Sequence, residues 1–167
     1  MDKKKIAAGI VLASASLVSF VVGWEGNENA TYVDIVGVNT VCGGITDPSI
    51  AIPGKTYSDS ECRAMNAKEI EEHGERALAC VNVALSQGEY EAYASLAYNI
   101  GTGGFCKSTL VRKLNAGDRP GACAEILRWN RAGGKVVRGL DNRRKAEHAQ
   151  CMKALEPAAP TGPKALA

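Results

Sequence analysis

The first long pattern in the chain is apolar. Residues 6–24 carry no charge, and Lys3, Lys4 and Lys5 precede them. A helix of these 19 residues would span roughly 28 Å, just enough for the hydrocarbon core of a bilayer. Nine of the 19 are Ala, Gly or Ser, which weakens insertion. The pattern therefore predicts a segment that enters a membrane, but only marginally.

Three fates are open to this segment. It is a signal peptide cleaved after Ala15 or Gly23, a permanent anchor, or an uncleaved anchor that can later leave the bilayer. The small residues disfavour a permanent anchor, and cleavage after Gly23 would place Glu25 almost at a new N-terminus. We favour the releasable anchor, with its boundary at residue 24.

The positions after residue 24 predict one domain over 25–156 and a flexible tail over 157–167. Alternation around Tyr32–Val41 is typical of a small β-hairpin. The run Ser58-Asp59-Ser60-Glu61 is a capping box, which indicates that a helix begins near Asp59. The predicted helices cover about 59–83, 90–98, 108–114, 120–132 and 141–155. We expect an α+β fold that is mostly helical, with one small sheet near the N-terminus.

Length and charge narrow the class of protein. The chain has 167 residues, which suffices for one domain after the anchor. Setting aside Asp2 and the three N-terminal lysines leaves 17 basic and 17 acidic residues out of 20 and 18. A neutral domain gives no reason to expect a nucleic acid as partner.

Six cysteines indicate disulfides rather than a metal site. None belongs to a C-x-x-C pair, and the two histidines, His73 and His148, are far apart in sequence. An even number of cysteines behind a membrane-directing segment is typical of an oxidising compartment. Fifteen pairings are possible, and the sequence leaves the choice open. We favour the pairing of sequence neighbours: Cys42–Cys62, Cys80–Cys106 and Cys123–Cys151.

Two carboxylates and a hydroxyl suggest chemistry. Glu25, Asp34 and Thr40 are separated by nine and six residues. Glycosidic cleavage uses one protonated carboxyl as proton donor and a second carboxylate that stabilises positive charge or activates water. A Glu on a helix and an Asp on a hairpin can face each other across a cleft. Spacing alone is weak evidence, since many domains contain such pairs.

The residues around this pair form a longer pattern. It begins with Trp24-Glu25-Gly26, Tyr32, Asp34, Gly37 and Thr40-Val41, and continues at 97–101, 108–110, 114–118, 128–129, 132–134, 139–140, 143–144 and 147. The pattern covers about residues 24–152 and resembles that of the phage-type lysozymes (glycoside hydrolase family 24). The uncharged segment adds a second resemblance, to endolysins of tailed bacteriophages that carry a signal-anchor-release segment.

The resemblance implies a β-1,4-glycosidase that cleaves peptidoglycan between N-acetylmuramic acid and N-acetylglucosamine, without cofactor or metal. By position, Glu25 is expected to be the general acid, Asp34 the second carboxylate and Thr40 the residue that holds the attacking water. We expect inversion at the anomeric carbon, which requires carboxyl groups roughly 6.5–9.5 Å apart.

Candidate substrate-binding residues are Asn99, Arg138 and Arg143. Asn99 either contacts sugar or caps a helix. The arginines could meet acidic peptide stems, but Arg143 or Arg144 could equally form an ion pair with Glu147. Two positions near the cleft also depart from the family: Gly-Ile-Thr at 44–46 where Gly-His-Thr is frequent, and Asn39 where a bulky residue is common.

Anchor and chemistry are expected to be coupled. While the segment lies in the host inner membrane, Trp24 prefers the headgroup region, and Glu25 cannot reach Asp34. Release would let the segment fold against the domain. Residues 6–24 contain no cysteine, so release is expected to follow loss of membrane energisation by a phage holin, without direct contact. We expect a monomer, tethered on the periplasmic face and then free in the periplasm.

Two other functions compete with this interpretation. A lytic transglycosylase acts on the same bond with one glutamate, without needing Asp34, and leaves a 1,6-anhydro end. A wall-binding module on a degenerate lysozyme fold would bind peptidoglycan without cleaving it.

Overall fold

The computed structural model describes residues 9–26, 28–34 and 37–157. Residues 1–8 of the predicted anchor and 158–167 of the predicted tail lie outside the described residues, as do positions 27, 35 and 36.

Within the described residues the chain forms seven α-helices, one 3-10 turn and two short hairpins. In chain order they are α1 (Ala15–Glu25), β1 (Tyr32–Val33), β2 (Asn39–Thr40), α2 (Asp59–Leu78), α3 (Gln87–Ile100), α4 (Thr102–Cys106), α5 (Thr109–Asn115), α6 (Arg119–Glu125), the 3-10 turn (Ile126–Arg128), β3 (Arg131–Ala132), β4 (Lys135–Val136) and α7 (Arg138–Ala154). The predicted class, α+β and mostly helical with a hairpin near the N-terminus, is confirmed.

The prediction of a single sheet was wrong. Strands β3 and β4 pair antiparallel in a second two-stranded sheet, with Arg131 opposite Val136. The two residues between these strands, Gly133 and Gly134, have φ of 56° and 77°. Positive φ at both central residues is what a tight hairpin turn requires. This glycine pair therefore forms the turn of a hairpin. The helix predicted over 120–132 ends earlier, at Glu125, and is followed by the 3-10 turn Ile126–Arg128.

Encoded caps explain where helices begin. Ser58 and Glu61 form the predicted capping box at the start of α2. Ser86 and Glu89 form a second one, which starts α3 at Gln87, three residues before the predicted position. Each box satisfies backbone N–H groups that have no partner inside the helix.

Helix α2 ends at Leu78 instead of near residue 83 because another residue binds the backbone there. The Asn115 side chain accepts a hydrogen bond from the Asn82 N–H at 2.7 Å and donates to the Cys80 carbonyl at 2.9 Å. These backbone groups would otherwise continue the helix. A long-range contact of this kind leaves no local signal in the sequence.

The core surrounds α3. On one side its buried residues pack among α4, α5, α6 and α7, in a cluster that includes Tyr93, Leu96, Phe105, Leu110, Leu114 and Ile126. On the other side Tyr90 and Ala94 pack against α1. A third cluster joins the loop after β2 to α2 and includes Val41 and Ile45.

Helix α1 is part of this core. Leu17, Val18 and Val21 are buried, at 0%, 4% and 1% exposure. Burial of each such side chain contributes about 1.5–3 kcal/mol. The predicted boundary at residue 24 thus falls inside a helix that packs on the domain. No helix among the described residues is long and apolar enough to cross a bilayer.

The favoured disulfide pairing is confirmed: Cys42–Cys62, Cys80–Cys106 and Cys123–Cys151. The bridges span sequence separations of 20, 26 and 28 residues. Closure of loops of this size stabilises the fold by about 3 kcal/mol for each bridge, through restriction of the unfolded chain. The first bridge ties the loop after β2 to α2.

Candidate active site

An open cleft of about 670 Å³ lies where α1, α2, α3 and the loop after β2 meet. Its walls are formed by Glu25, the loop residues 43–48, Glu69 and His73 of α2, and Tyr98 and Asn99 of α3. Carboxylate, imidazole, phenol and amide groups thus all border one space. Such a lining suits a polar ligand with many hydroxyl and amide groups.

Glu25 reaches the cleft because it is the last residue of α1. Gly26 follows with φ of 84° and ends the helix, while its N–H donates to the Val22 carbonyl at 3.1 Å. The Glu25 side chain is 26% exposed, and its Oε1 lies 2.5 Å from Nη1 of Arg143. The carboxylate is therefore partly open to the cleft and held from behind by a cation.

Arg143 belongs to a buried charged network. Its side chain is only 4% exposed, and its Nε donates to Oε1 of Glu147 at 3.1 Å. Arg144 Nε lies 2.8 Å from Oε2 of the same carboxylate, and Ser95 Oγ donates to it at 2.7 Å. Burial raises the pKa of Glu147, whereas Arg144, Ser95 and Arg143 oppose that rise. The network connects Glu25 to α3 and α7.

The loop after β2 comes very close to the end of α1. Gly43 has φ of 79°, and a Cβ at this position would lie 2.6 Å from the Gly26 carbonyl oxygen. Residue 43 therefore has to be glycine, because any side chain would push the loop away from the backbone that follows Glu25. The loop and Glu25 are positioned by the same contact.

Helices α2 and α3 supply an aromatic part of the wall. The rings of His73 and Tyr98 have centroids 5.2 Å apart. Burial, with the charges of Glu25 and Glu69, raises the pKa of Tyr98 to about 12. Burial also lowers the pKa of His73, and nearby Arg76 acts in the same direction. Tyr98 thus keeps its proton at neutral pH and can donate it in a hydrogen bond.

The hairpin orders Asp34 and Thr40. Asp34 Oδ1 accepts a hydrogen bond from the Val38 N–H at 2.9 Å, which fixes the carboxylate beside the turn. Thr40 is 4% exposed, and its hydroxyl donates to the Val38 carbonyl at 3.1 Å. Among the described residues the cleft lining includes Glu25 but neither Asp34 nor Thr40.

Comparison with known proteins shows the family of the chain. A model of the phage lysozyme family matches residues 22–147, a range that contains Glu25, Asp34, Thr40 and the Arg143 network. The chain belongs to the phage lysozyme family. It is therefore a lytic enzyme of the glycosidase type.

Individual relatives agree with this phage-lysozyme assignment. The SAR-endolysin of bacteriophage PS119 is 42% identical over 130 residues, which cover 78% of this chain and 77% of the relative. The SAR-endolysin of enterobacteria phage P21 is 39% identical over 150 residues, which cover 88% and 90%. The solved crystal structure of a mutant of P22 lysozyme superposes with a TM-score of 0.77 at 26% identity, covering 86% of this chain and 99% of that one.

The predicted substrate-binding residues lie in three different settings. Asn99 lines the cleft. Arg138 is exposed at the first position of α7, outside the described lining. Arg143 is buried, and of its two predicted alternatives the structure contains the ion pair with Glu147. It touches Glu25 instead of facing the cleft.

Sequence patterns missed the α2 wall of the cleft. Glu69 and His73 are four residues apart and so share one helix face. That spacing was a usable signal, but polar pairs at this interval are common on solvated helices. Only the packing of α2 beside Tyr98 shows that this face borders a cleft.

Proposed function

We propose that the chain hydrolyses the β-1,4 bond between N-acetylmuramic acid and N-acetylglucosamine in peptidoglycan, with Glu25 as general acid. The observation that carries the proposal is the position of the Glu25 carboxylate, at the wall of an open, polar cleft and against Arg143. A proton donor for a leaving sugar oxygen must be fixed and accessible at once, and Glu25 meets both conditions.

Asp34 and Thr40 complete the proposed site. The Val38 N–H holds one oxygen of Asp34, so the second carboxylate has a defined orientation on the hairpin. The Thr40 hydroxyl donates its proton to the Val38 carbonyl, so toward the attacking water it would act as a hydrogen-bond acceptor. Inversion at the anomeric carbon stays a prediction.

The test is product analysis. Purified full-length protein is incubated with peptidoglycan, and the fragments are examined by mass spectrometry and a reducing-end assay. We expect new reducing N-acetylmuramic acid ends, and a loss of rate of about 100-fold or more in Asp34→Asn, since the second carboxylate is needed in the transition state. Fragments with 1,6-anhydro ends, together with an active Asp34→Asn variant, would instead identify a transglycosylase. Binding without fragments would identify a wall-binding module.

The second part of the proposal concerns location. We propose that residues 6–24 tether the newly made enzyme to the host inner membrane in an inactive form and that release gives the periplasmic, active form. Helix α1 supports this, since one helix carries both residues 15–24 of the predicted anchor and Glu25. While α1 lies in a bilayer, Glu25 cannot occupy the cleft wall. The SAR-endolysin names of the two phage relatives point in the same direction.

A permanently tethered variant tests this coupling. Ser19 and Gly23 are exposed on α1 beside an open groove against α2, and no atom lies within 4 Å of a Cβ added at Gly23. Leucine at both positions therefore makes the segment more apolar and keeps the buried residues Leu17, Val18 and Val21. We expect this variant to stay in the membrane fraction and leave the wall intact, and to become active after extraction into detergent. Wall digestion by the membrane-bound variant would contradict the proposed inactive state.

A further inference from the structure

A buried carboxylate on α3 binds the N-terminal segment. Glu91 is 7% exposed although it is charged. Four side chains donate hydrogen bonds to it: Ser14 at 2.6 Å, Ser16 at 2.8 Å, Gln87 at 3.0 Å and Gln150 at 2.9 Å. Two of these four donors are serines of the segment predicted to enter the membrane.

Neighbours of Glu91 bind the backbone of the same segment. The Gln87 amide accepts from the Val11 N–H at 2.9 Å and donates to the Val11 carbonyl at 3.0 Å. The Tyr90 hydroxyl donates to the Leu12 carbonyl at 2.8 Å. The site thus holds both the side chains and the peptide groups of residues 11–16, the stretch that leads into α1.

The hydrogen bonds are needed because Glu91 is buried. Burial by itself raises the pKa of this carboxyl, but the bonds from Ser14, Gln87, Ser16 and Gln150 outweigh it and hold the pKa below its ordinary value. When a buried carboxylate loses such donors, the free energy of the protein rises until water hydrates the carboxylate. Departure of residues 11–16 would remove two donors at once.

Weak membrane insertion alone does not explain why residues 14 and 16 are serines. Alanine or glycine would also keep the segment marginally apolar, but neither has a hydroxyl to donate. Ser14 in addition caps α1, since its Oγ accepts from the Leu17 N–H at 3.1 Å. The hydroxyls at positions 14 and 16 are therefore explained by their hydrogen bonds to Glu91 and not by membrane insertion.

We propose that Glu91, with Gln87 and Gln150, is the docking site that receives residues 11–16 after the segment leaves the membrane. The inference rests on the proposed function and adds the contact that holds the released form. Docking of Ser14 and Ser16 orients α1, and α1 in turn presents Glu25 at the cleft. Glu91 is a positioning residue that acts through α1.

The test compares two serines of the same helix. Ser16→Ala removes a donor to Glu91. Ser19 is exposed like Ser16 but borders α2 instead of Glu91, so Ser19→Ala makes the same chemical change away from the docking site and raises the apolarity of the segment equally. Glu91→Gln replaces the carboxylate that accepts the hydrogen bonds by a neutral amide. Amide hydrogen exchange over residues 14–21 is measured on full-length, released protein, with peptidoglycan hydrolysis measured in parallel.

We expect exchange about tenfold faster in Ser16→Ala and in Glu91→Gln, with reduced hydrolysis, and wild-type exchange in Ser19→Ala. The double variant Ser16→Ala/Glu91→Gln should show no more than the larger single effect, because both changes break the same contact. Equal exchange in all variants would overturn the docking site. If Glu91→Gln does not fold, Ser16→Ala against Ser19→Ala still decides. A wild-type protein without hydrolysis would refute the proposed function, while exchange would still report on docking.

Discussion

Arg143 is the residue that connects the cleft to the core. It contacts Glu25 and Glu147 with different nitrogens of one guanidinium and also donates to the Ser95 carbonyl at 3.3 Å. A planar fork with several donors can serve these partners together, whereas a lysine ammonium is a single point charge. The position of Glu25 in the cleft thus depends on a side chain that lies behind it and outside the cleft lining.

Replacing Arg143 by alanine is expected to damage both catalysis and stability. The carboxylate of Glu25 would lose its fixed position, and misplacement by about 1 Å can cost about 100-fold in rate. Glu147 would keep Arg144, so the free energy of unfolding should fall by about 3 kcal/mol, at the lower end for a broken buried pair. Rates on soluble peptidoglycan fragments and urea unfolding measure the two effects.

Lys145→Ala is the matched control for Arg143. Lys145 lies on the same helix, its side chain is 66% exposed, and it pairs with Asp141. An exposed pair contributes at most about 1 kcal/mol, so the variant should unfold within that margin and keep its kcat. If Arg143→Ala behaved like Lys145→Ala, the positioning role of Arg143 would be wrong.

His73 gives stability a dependence on pH. Burial lowers its pKa in the folded protein below the usual value of about 6.5. The unfolded chain therefore binds the proton first as the pH falls, and the contribution of His73, complete above about pH 6.5, is lost below it. We expect wild-type unfolding free energy to drop between about pH 7 and about pH 5 more than that of His73→Phe. Urea titrations at several pH values measure this, and identical slopes would refute it.

At the scale of elements, α2 and α3 approach closely at one glycine. Gly74 lies on α2 opposite Tyr90, and a Cβ at residue 74 would overlap the Tyr90 hydroxyl oxygen. Tyr90 is 1% exposed and its hydroxyl binds the Leu12 carbonyl, so the ring has little freedom to move. This close contact lets α3 reach the chain that leads into α1.

Gly74→Ala should therefore destabilise the protein by about 1–3 kcal/mol, the usual cost of an overpacked core. Gly139→Ala in α7 is the control, because no atom lies within 4 Å of the added Cβ. It should be neutral or stabilising by up to about 1 kcal/mol through helix propensity. The two variants are compared by their melting temperatures in thermal unfolding. An unchanged melting temperature in Gly74→Ala would show that Tyr90 can move.

Elements were predictable where the sequence encodes their ends locally. The capping box at Ser58 located the start of α2, and a glycine or proline marked several helix ends. The short helix Thr102–Cys106 was missed because its glycines are typical of a loop, and the end of α2 was misplaced because Asn115 terminates it from a distance. Tertiary contacts of this kind decide boundaries that propensity cannot.

At the scale of the whole molecule, two of the disulfides hold different regions, one next to the cleft and one away from it. Cys42–Cys62 fastens the loop after β2, called here the cleft loop because its residues 43–48 line the cleft, to α2. Cys80–Cys106 fastens the chain just after α2 to the last residue of α4. Similar loop lengths predict similar stabilisation from the two bridges. Of these two bridges, the first is the one that adjoins the described residues of the cleft.

Removing each bridge by paired alanine substitution should separate stability from activity. Both variants should lose about 3 kcal/mol of unfolding free energy. Peptidoglycan hydrolysis should fall severalfold without Cys42–Cys62, because the cleft loop loosens, and persist without Cys80–Cys106. Unfolding curves and initial rates under non-reducing conditions provide the measurement. Equal activities in the two variants would mean that the loop is held by other contacts.

Part of the cleft lining was predictable from the sequence: Glu25 and Asn99 border it. Glu25, Asp34 and Thr40 came from a motif resemblance, in which their types and spacing are constrained together, and their catalytic roles stay predictions. The ion pair of Arg143 with Glu147 was one of two alternatives. Three other polar residues belong to no such motif: Glu69, His73 and Glu91. Their surroundings depend on which face of each helix is covered by other helices, and this is fixed only when the whole molecule has folded.

The contact of Gly43 with the Gly26 carbonyl has a consequence for evolution. The cleft loop rests on the backbone that follows α1, so in the proposed tethered form it would lack both its acid and its support. A single substitution that supplied a carboxylate elsewhere in the cleft could not restore an enzyme there. In that form, premature lysis through mutation would require repair of two defects together, which would make the timing of lysis robust against replication errors in the gene.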